Sequence, residues 1–242
     1  MIKGSFTWNG QSSDNFSMKM LDQPTFASPQ KDLTANSVPG RNGSVLTTNH
    51  RMNDVSASFN FHAMITDDFA HTIRRVRNWL MAPDGYQAMT WDGVDDLTYY
   101  LYFDGSSLSF QELSATRISV TIGASIFPVA FYTSSLSETQ YFTGNVIVNN
   151  GFVTSKPKIR LLGTGAGTFV FGSSTIQVQN VTDEIDIDTE LGTVTDSDGN
   201  SVYSEINTTT YMSLPTLVIG NNTISIPSGW TCYITGRFGE FA

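Results

Sequence analysis

Seven Asx-Gly pairs punctuate the chain: Asn9-Gly10, Asn42-Gly43, Asp84-Gly85, Asp92-Gly93, Asp104-Gly105, Asn150-Gly151 and Asp198-Gly199. Such pairs tolerate the positive φ that tight turns demand, so the chain is told to reverse direction again and again. Short patterned segments lie between them in the first half, at residues 5–8, 16–21, 55–61, 87–91, 98–103 and 117–122. In the last of these Ile118, Val120 and Ile122 point one way while Arg117, Ser119 and Thr121 point the other. Short alternating strands broken this often argue for an all-β, sandwich-like chain rather than an α/β one.

One segment breaks the β pattern. Thr66, Asp67 and Asp68 offer N-cap oxygens and negative charge where a helix start leaves amides unpaired. Phe69, Ile73, Val76 and Leu80 follow at spacings of four, three and four, an apolar stripe on one helical face. Arg74, Arg75 and Arg77 lie toward the C-terminal end, and Pro83-Asp84-Gly85 stops the run. The spacing predicts a single helix over 67–81, packed on a sheet. Each stripe residue, if fully buried, contributes roughly 1.5–3 kcal/mol.

Residues 28–48 have the opposite character. A polar stretch with no apolar period leads into Val38, Pro39, Gly40, Arg41, Asn42, Gly43, Ser44 and Val45. Asn42-Gly43 reads as a type I′ hairpin turn. The only sizeable apolar groups are Leu33, Val38, Val45 and Leu46, too few to join a core. After them Val55, Ala57, Phe59 and Phe61 alternate with polar residues in the manner of a half-buried strand. A two-stranded ribbon of this kind is marginal alone in water and needs a neighbour to pack on. That neighbour is expected to be a second copy of the chain.

The apolar pattern ends near Phe127-Pro128, and a polar stretch follows, which sets a first domain at 1–132, a linker at 133–139 and a second domain at 140–242. The second domain has strand patterns at 145–149, 158–162, 168–171, 175–181, 184–188, 216–219, 223–226 and 231–235 and no readable helix. It is expected to be a β-sandwich. The run Gly163-Thr164-Gly165-Ala166-Gly167 sits before a strand, not a helix, so it reads as a turn rather than a phosphate cradle.

With 242 residues, 40% of them hydrophobic, the chain has material for one large or two ordinary domains. Its net charge of −9 argues against gripping nucleic acid, which is led by Lys and Arg. Cys232 is the only cysteine, so no intrachain disulfide or cysteine metal site can form. Met1-Ile2-Lys3 and the residues after it lack the blocks of a signal peptide, and no apolar run approaches the ~20 residues that span a bilayer. A soluble product of a reducing cytosol, with no membrane partner, is the expectation.

Chemistry is scarce. The alternation in Asp183-Glu184-Ile185-Asp186-Ile187-Asp188 places the acids on an outer strand face, and Asp196-Ser197-Asp198-Gly199-Asn200 has its glycine in the wrong place for a calcium loop. His50, His62 and His71 show no metal-ligand spacing, and no nucleophile elbow is present. No catalytic residue, metal or cofactor is therefore expected. Trp8, Trp79, Trp91 and Trp230, with Tyr99, Tyr100 and Tyr102, offer stacking surface for sugars, but aromatics of this kind more commonly fill cores.

Taken in order, these segments resemble the distal tail proteins of long-tailed bacteriophages over nearly the whole chain. The likeness rests on Val38-Pro39-Gly40-Arg41-Asn42-Gly43, the alternating strand to Phe61, the lone helix, and the 118–122 strand running into Phe127-Pro128. In the second half it rests on Asn149-Asn150-Gly151, Lys156-Pro157-Lys158-Ile159-Arg160-Leu161, Ile185-Asp186-Ile187-Asp188-Thr189-Glu190 and Gly220-Asn221-Asn222-Thr223-Ile224. The resemblance implies a non-enzymatic structural virion protein, made in the bacterial cytoplasm and located at the tail tip. It implies a hexameric ring, closed by the first domain and its arm around a channel that passes DNA and the tape-measure protein. It implies a galectin-like second domain that holds receptor-binding or other baseplate proteins, and a ring that joins the tail-tube protein to the tail-tip protein. The chain has no room for an inserted carbohydrate-binding module and lacks the His-x-Asn…Arg pattern of sugar-binding galectins. A tail-tube protein and a non-catalytic carbohydrate-binding module are the rival readings.

Overall fold

The computed structural model describes residues 4–94, 96–208 and 213–242, so the reading made from Met1, Ile2 and Lys3 lies outside it. The chain is mainly β and divides into two compact units, Met1–Ala130 with Phe241–Ala242, and Phe131–Glu240.

The first unit opens with β1 (Phe6–Trp8), β2 (Gln11–Ser12) and β3 (Met18–Met20). Strands β4 (Lys31–Ser37), β5 (Ser44–Met52) and β6 (Val55–Met64) follow, then helix α1 (Phe69–Met81). Strands β7 (Gln87–Trp91), β8 (Leu97–Ser114) and β9 (Arg117–Ile126) complete it, and β10 (Val129–Tyr132) carries the chain onward. Its main sheet is antiparallel in the order β2-β1-β7-β8-β9-β6-β3. Strands β6 and β9 pair without a break from Val55 opposite Ile126 to Met64 opposite Arg117. That pairing, together with the pairing of β8 on the other side of β9, explains why β6, β8 and β9 outrun the lengths their apolar patterns suggest. Each polar residue added at an end still gains ladder hydrogen bonds. Ile118, Val120, Ile122, Ala124 and Ile126 of β9 are all buried, on the same core as Phe6, Trp8, Phe59 and Phe61.

Helix α1 begins at Phe69 rather than at residue 67, because Asp68 is its N-cap, with the Asp68 carboxylate accepting from the His71 amide at 2.7 Å. Its buried face is rotated from the expected stripe. Val76 and Leu80 are buried as expected, but Thr72 and Trp79 join them, Ile73 is only half-buried and Phe69 is 38% exposed. Side chains lean toward a helix's N-terminus, so Phe69 at the first position has no preceding helical turn to lie over and keeps much of its surface exposed. Trp79 wins the face because its ring stacks on Phe16 at 4.0 Å, nearly parallel. Thr72 can be buried because its hydroxyl donates to the Asp68 carbonyl at 2.9 Å. Two of the three helix arginines lie on rings, Arg75 over Phe16 and Arg77 over Phe110.

The second unit has β11 (Thr139–Tyr141), β12 (Val146–Asn149), β13 (Lys158–Leu162), β14 (Gly165–Phe171), β15 (Ser174–Val181) and β16 (Glu184–Asp188). After these come β17 (Thr193–Thr195), β18 (Ile206–Thr208), β19 (Gly220–Ser225) and β20 (Thr231–Thr235), while the last strand, β21 (Gly239–Phe241), straddles the division between the units. Two antiparallel sheets, β11-β20-β13-β16-β17 and β12-β19-β14-β15-β18, enclose a core that includes Ile159, Leu161, Phe169, Phe171, Ile185 and Ile187.

Three sequence expectations change here. Residues 133–136 of the expected linker form a 3-10 turn, tied down because the Ser135 hydroxyl donates to Tyr132 and accepts from the Phe238 amide at 2.9 Å. Residues 216–219 form no strand, only a bridge from Leu217 to Ser155. The glycine run is not simply a turn, since β14 starts at Gly165 with a bulge before Gly167. Trp230 explains Gly163, because a Cβ there would lie 2.5 Å from the indole ring.

Candidate assembly interface

Among the described residues, strands β4 and β5 form a two-stranded ribbon that joins no other sheet. Its register pairs Leu33 with Thr48, Ala35 with Leu46 and Ser37 with Ser44. Side chains two apart share a face, so Leu33, Ala35 and Leu46 line one side of the ribbon. Leu33 is 46% exposed and Leu46 63%, with no core beneath them. The alternation Leu33-x-Ala35 was the available signal for this face, and it needs the strand register to reveal its partner Leu46.

At the base of the arm, Asp32 accepts from Arg51 Nε at 2.7 Å and from Asn49 Nδ2 at 3.0 Å. The Asn49 and Arg51 donors hold its carboxyl below the usual carboxylate range. Asn53 donates to the Gln30 carbonyl at 2.9 Å and closes the ribbon. His50 takes a left-handed φ of 56° where the register slips near Lys31 and Leu33.

The tip corrects the expected type I′ turn. Arg41 donates to the Val38 carbonyl at 3.2 Å and Gly40 has φ +80°, which is the arrangement of a type II turn with Pro39-Gly40 in its centre. Gly43 also has positive φ, whereas Asn42 does not. Proline pre-sets the φ of the second turn position, so it wins over the Asn-Gly signal. Val38, Pro39, Gly40, Arg41, Asn42 and Gly43 are exposed and Val45 is half-buried. The arm carries three cations, Lys31, Arg41 and Arg51, against the single carboxylate of Asp32, in a chain whose net charge is −9. The helix residues Phe69, Ile73, Val76 and Leu80 belong to the packing of the first unit, not to this surface.

In the second unit the acidic strand is matched by cations. Across neighbouring strands Gln140, Tyr233, Arg160, Asp186 and Thr195 fall in one row on the outer face. Arg160 Nε lies 3.1 Å from Asp186 and 3.4 Å from Glu184, and Lys158 lies 3.0 Å from Asp186. Asp188 is buried and receives both Arg237 guanidinium nitrogens at 2.7 Å. The Asp196 carboxylate caps its own loop, accepting from the amides of Asp198 and Asn200.

The histidines stay apart on β5, β6 and α1, and His71 pairs with Asp67 at 3.1 Å. Burial pushes the Cys232 thiol up to about 12, an inert core thiol. Trp8, Trp79, Trp91 and Tyr99 are core residues, Tyr100 and Trp230 are half-buried, and only Tyr102 is exposed.

No protein-family model and no curated protein matches the chain. Among solved structures it is similar to Dit (gp 19.1) of SPP1, described as a paradigm of the hub adsorption apparatus in phages that infect Gram-positive bacteria. The match covers 99% of each chain with a TM-score of 0.67 at 12% sequence identity. The chain has the Dit fold. Because the coverage is nearly complete, the Dit likeness takes in both units and leaves no large insertion unmatched.

Proposed function

We propose that this protein is the structural hub of a phage tail tip. The fold shared with Dit along the full chain is the observation that carries the reading. The projecting arm supports it, because an exposed apolar ribbon face needs a cover that its own unit does not supply. In this reading six copies close a ring, each lending its arm to the next through a heterologous contact. The arm's excess of cations suits a partner that is itself acidic, as a second copy is. The first unit surrounds a channel for DNA and the tape-measure protein and joins the tail-tube protein to the tail-tip protein. The second unit, read as a galectin-like sandwich, is the platform for receptor-binding or other baseplate proteins. The protein acts in the virion and needs no catalytic residue or cofactor for this role. The test is solution mass with negative-stain imaging of the purified protein, alone and with its tail partners. A ring with a central hole is expected. Protein that stays monomeric under both conditions, or that grows into long tubes as a tail-tube protein does, overturns the proposal.

A further inference from the structure

The less buried face of the first unit's main sheet carries a carboxylate among exposed rings. Tyr102 lies opposite Ser125, which lies opposite Ser56 on β6, and Tyr86 stands just before β7, where Gln87 pairs with Leu101. Tyr86 is 39% exposed and Tyr102 40%, and their rings meet edge to face at 5.3 Å. Phe127 meets Tyr86 in the same manner at 5.7 Å. Asp54, exposed just before β6, accepts from the hydroxyls of Tyr86 and Ser125. Both bonds fall on Oδ2. Among the described residues Oδ1 receives no donor, and no cation pairs with the group.

Such a site suits a guanidinium. Ring faces attract a cation through their quadrupole, and arginine also stacks on them, while a carboxylate takes the N–H fork of the same group. Among the described residues Lys31, Arg41, Arg74 and Arg117 have neither an ion pair nor a ring beneath them. Arg74 is on α1, Arg117 is in the ladder opposite Met64, and Lys31 is at the base of the arm. Arg41 is at the arm tip, exposed beside Val38 and Pro39. That tip offers a cation and apolar surface to a site made of a carboxylate and rings. Its own Asp54 is out of reach, because the ladder from Lys31 opposite Met52 to Ser37 opposite Ser44 holds the tip more than ~20 Å from the base.

We infer that Asp54, Tyr86, Tyr102 and Phe127 form the receptor for Arg41 of a second copy. The occupant rests on the ring reading, in which each arm is lent to the next copy, and the cluster is where that arm lands. The contact runs from tip to base, so it is heterologous and every copy gives one tip and receives one. The exposed rings supply the kind of anchor that dominates protein interfaces, and the arginine meets its opposite charge there. A lysine serves less well, because it has no planar fork to lie on a ring.

Charge reversal tests the pair. Light scattering against protein concentration follows ring assembly in full-length Arg41→Glu, in Asp54→Arg, in the two mixed equally, and in the double variant. Each reversal by itself raises the concentration needed for rings by about tenfold or more. The melting temperature holds, because both side chains are exposed. The equal mixture assembles like the parent, since an alternating ring sets opposite charges at every junction, and so does the double variant. A second measurement needs no ring. A synthetic hairpin of residues 36–45, titrated calorimetrically into full-length Arg41→Glu protein, binds with an affinity that falls as salt rises from about 50 to 500 mM. Adding Asp54→Asn abolishes that binding, and adding Tyr102→Ala weakens it. Rings that need the arm but ignore both reversals leave the hub reading in place and overturn this inference. So do a mixture and double variant that stay unassembled while folded, a hairpin that does not bind or ignores Asp54→Asn, and a neutral sugar oligomer that takes the site instead. A chain that forms no ring yet binds the hairpin through Asp54 overturns the hub reading and upholds the receptor.

Discussion

Val76 and Phe69 sit two turns apart on one helix and have opposite consequences. Val76 is fully buried, so Val76→Asp strands an unpaired charge in the core and costs several kcal/mol, about 4 or more. Phe69→Asp removes a ring that is 38% exposed and places a carboxylate at a helix start, where it is favourable. Soluble yield and melting temperature should collapse for Val76→Asp and change little for Phe69→Asp. The helix and its cap were legible at this scale, because Asp68 and the apolar spacing are local signals. Its rotation was not, since the ring that claims the face, Trp79, does so through Phe16 on another element. Asp188 tells the same story. Alternation placed it on a solvated face, while Arg237, 49 residues away, pulls it into a buried bidentate pair. Burial opposes its charge, but the Arg237 guanidinium and the amides of Leu191 and Glu190 outweigh that and hold its carboxyl below the ordinary range. A carboxyl with a depressed pKa in the folded state stabilises above its unfolded value of about 3.9 and loses that contribution as pH falls through the folded one. Asp188→Asn should therefore cost about 2–3 kcal/mol by urea unfolding at neutral pH. The gap between variant and parent should shrink below about pH 4. An equal gap at both pH values would show that the pair is not the source.

The arm is the element whose existence was easiest to read and whose contacts were hardest. Polar composition with Pro39-Gly40 and Asn42-Gly43 at one place left little but a hairpin, yet which dipeptide forms the turn depended on the φ that proline fixes. The short strands β11, β17 and β18 went unread for a related reason. With three residues each they carry too little alternation to register, and they exist because a longer neighbour offers its edge. Gln30 and Asn53 close the base of the arm, so they mark where it can be removed without disturbing β6. Replacing residues 31–52 with a short glycine-serine connector should leave both units folded, because every large apolar group removed is exposed or half-buried and outside either core. Circular dichroism and a melting transition close to the parent's are expected, with ring formation reduced or abolished in light scattering. Rings that form as readily without the arm would mean the ribbon is an ordinary surface hairpin.

For the whole molecule the controlling quantity is charge. Under the proposed function the ring's channel would have to let DNA through, and each lysine or arginine that neutralises a phosphate would slow its passage by releasing counterions. With 22 acidic and 13 basic residues the chain is poor in such grips, and its cations are largely engaged. Arg160 and Lys158 pair with Asp186, Arg237 with Asp188, Arg51 with Asp32, Lys19 with Asp14, and Arg75 and Arg77 lie on aromatic rings. Field effects beyond these contacts are screened over about 8 Å at physiological salt, so an acidic wall repels DNA only at close approach. Duplex DNA should consequently show no tight binding to the assembled protein at about 150 mM salt, in filter binding or in fluorescence anisotropy. Lowering the salt to about 50 mM should produce little change, because no phosphate contacts exist for the counterion term to strengthen. Tight binding with a steep salt slope would mean that the ring presents a cationic channel that the paired side chains of the single chain conceal.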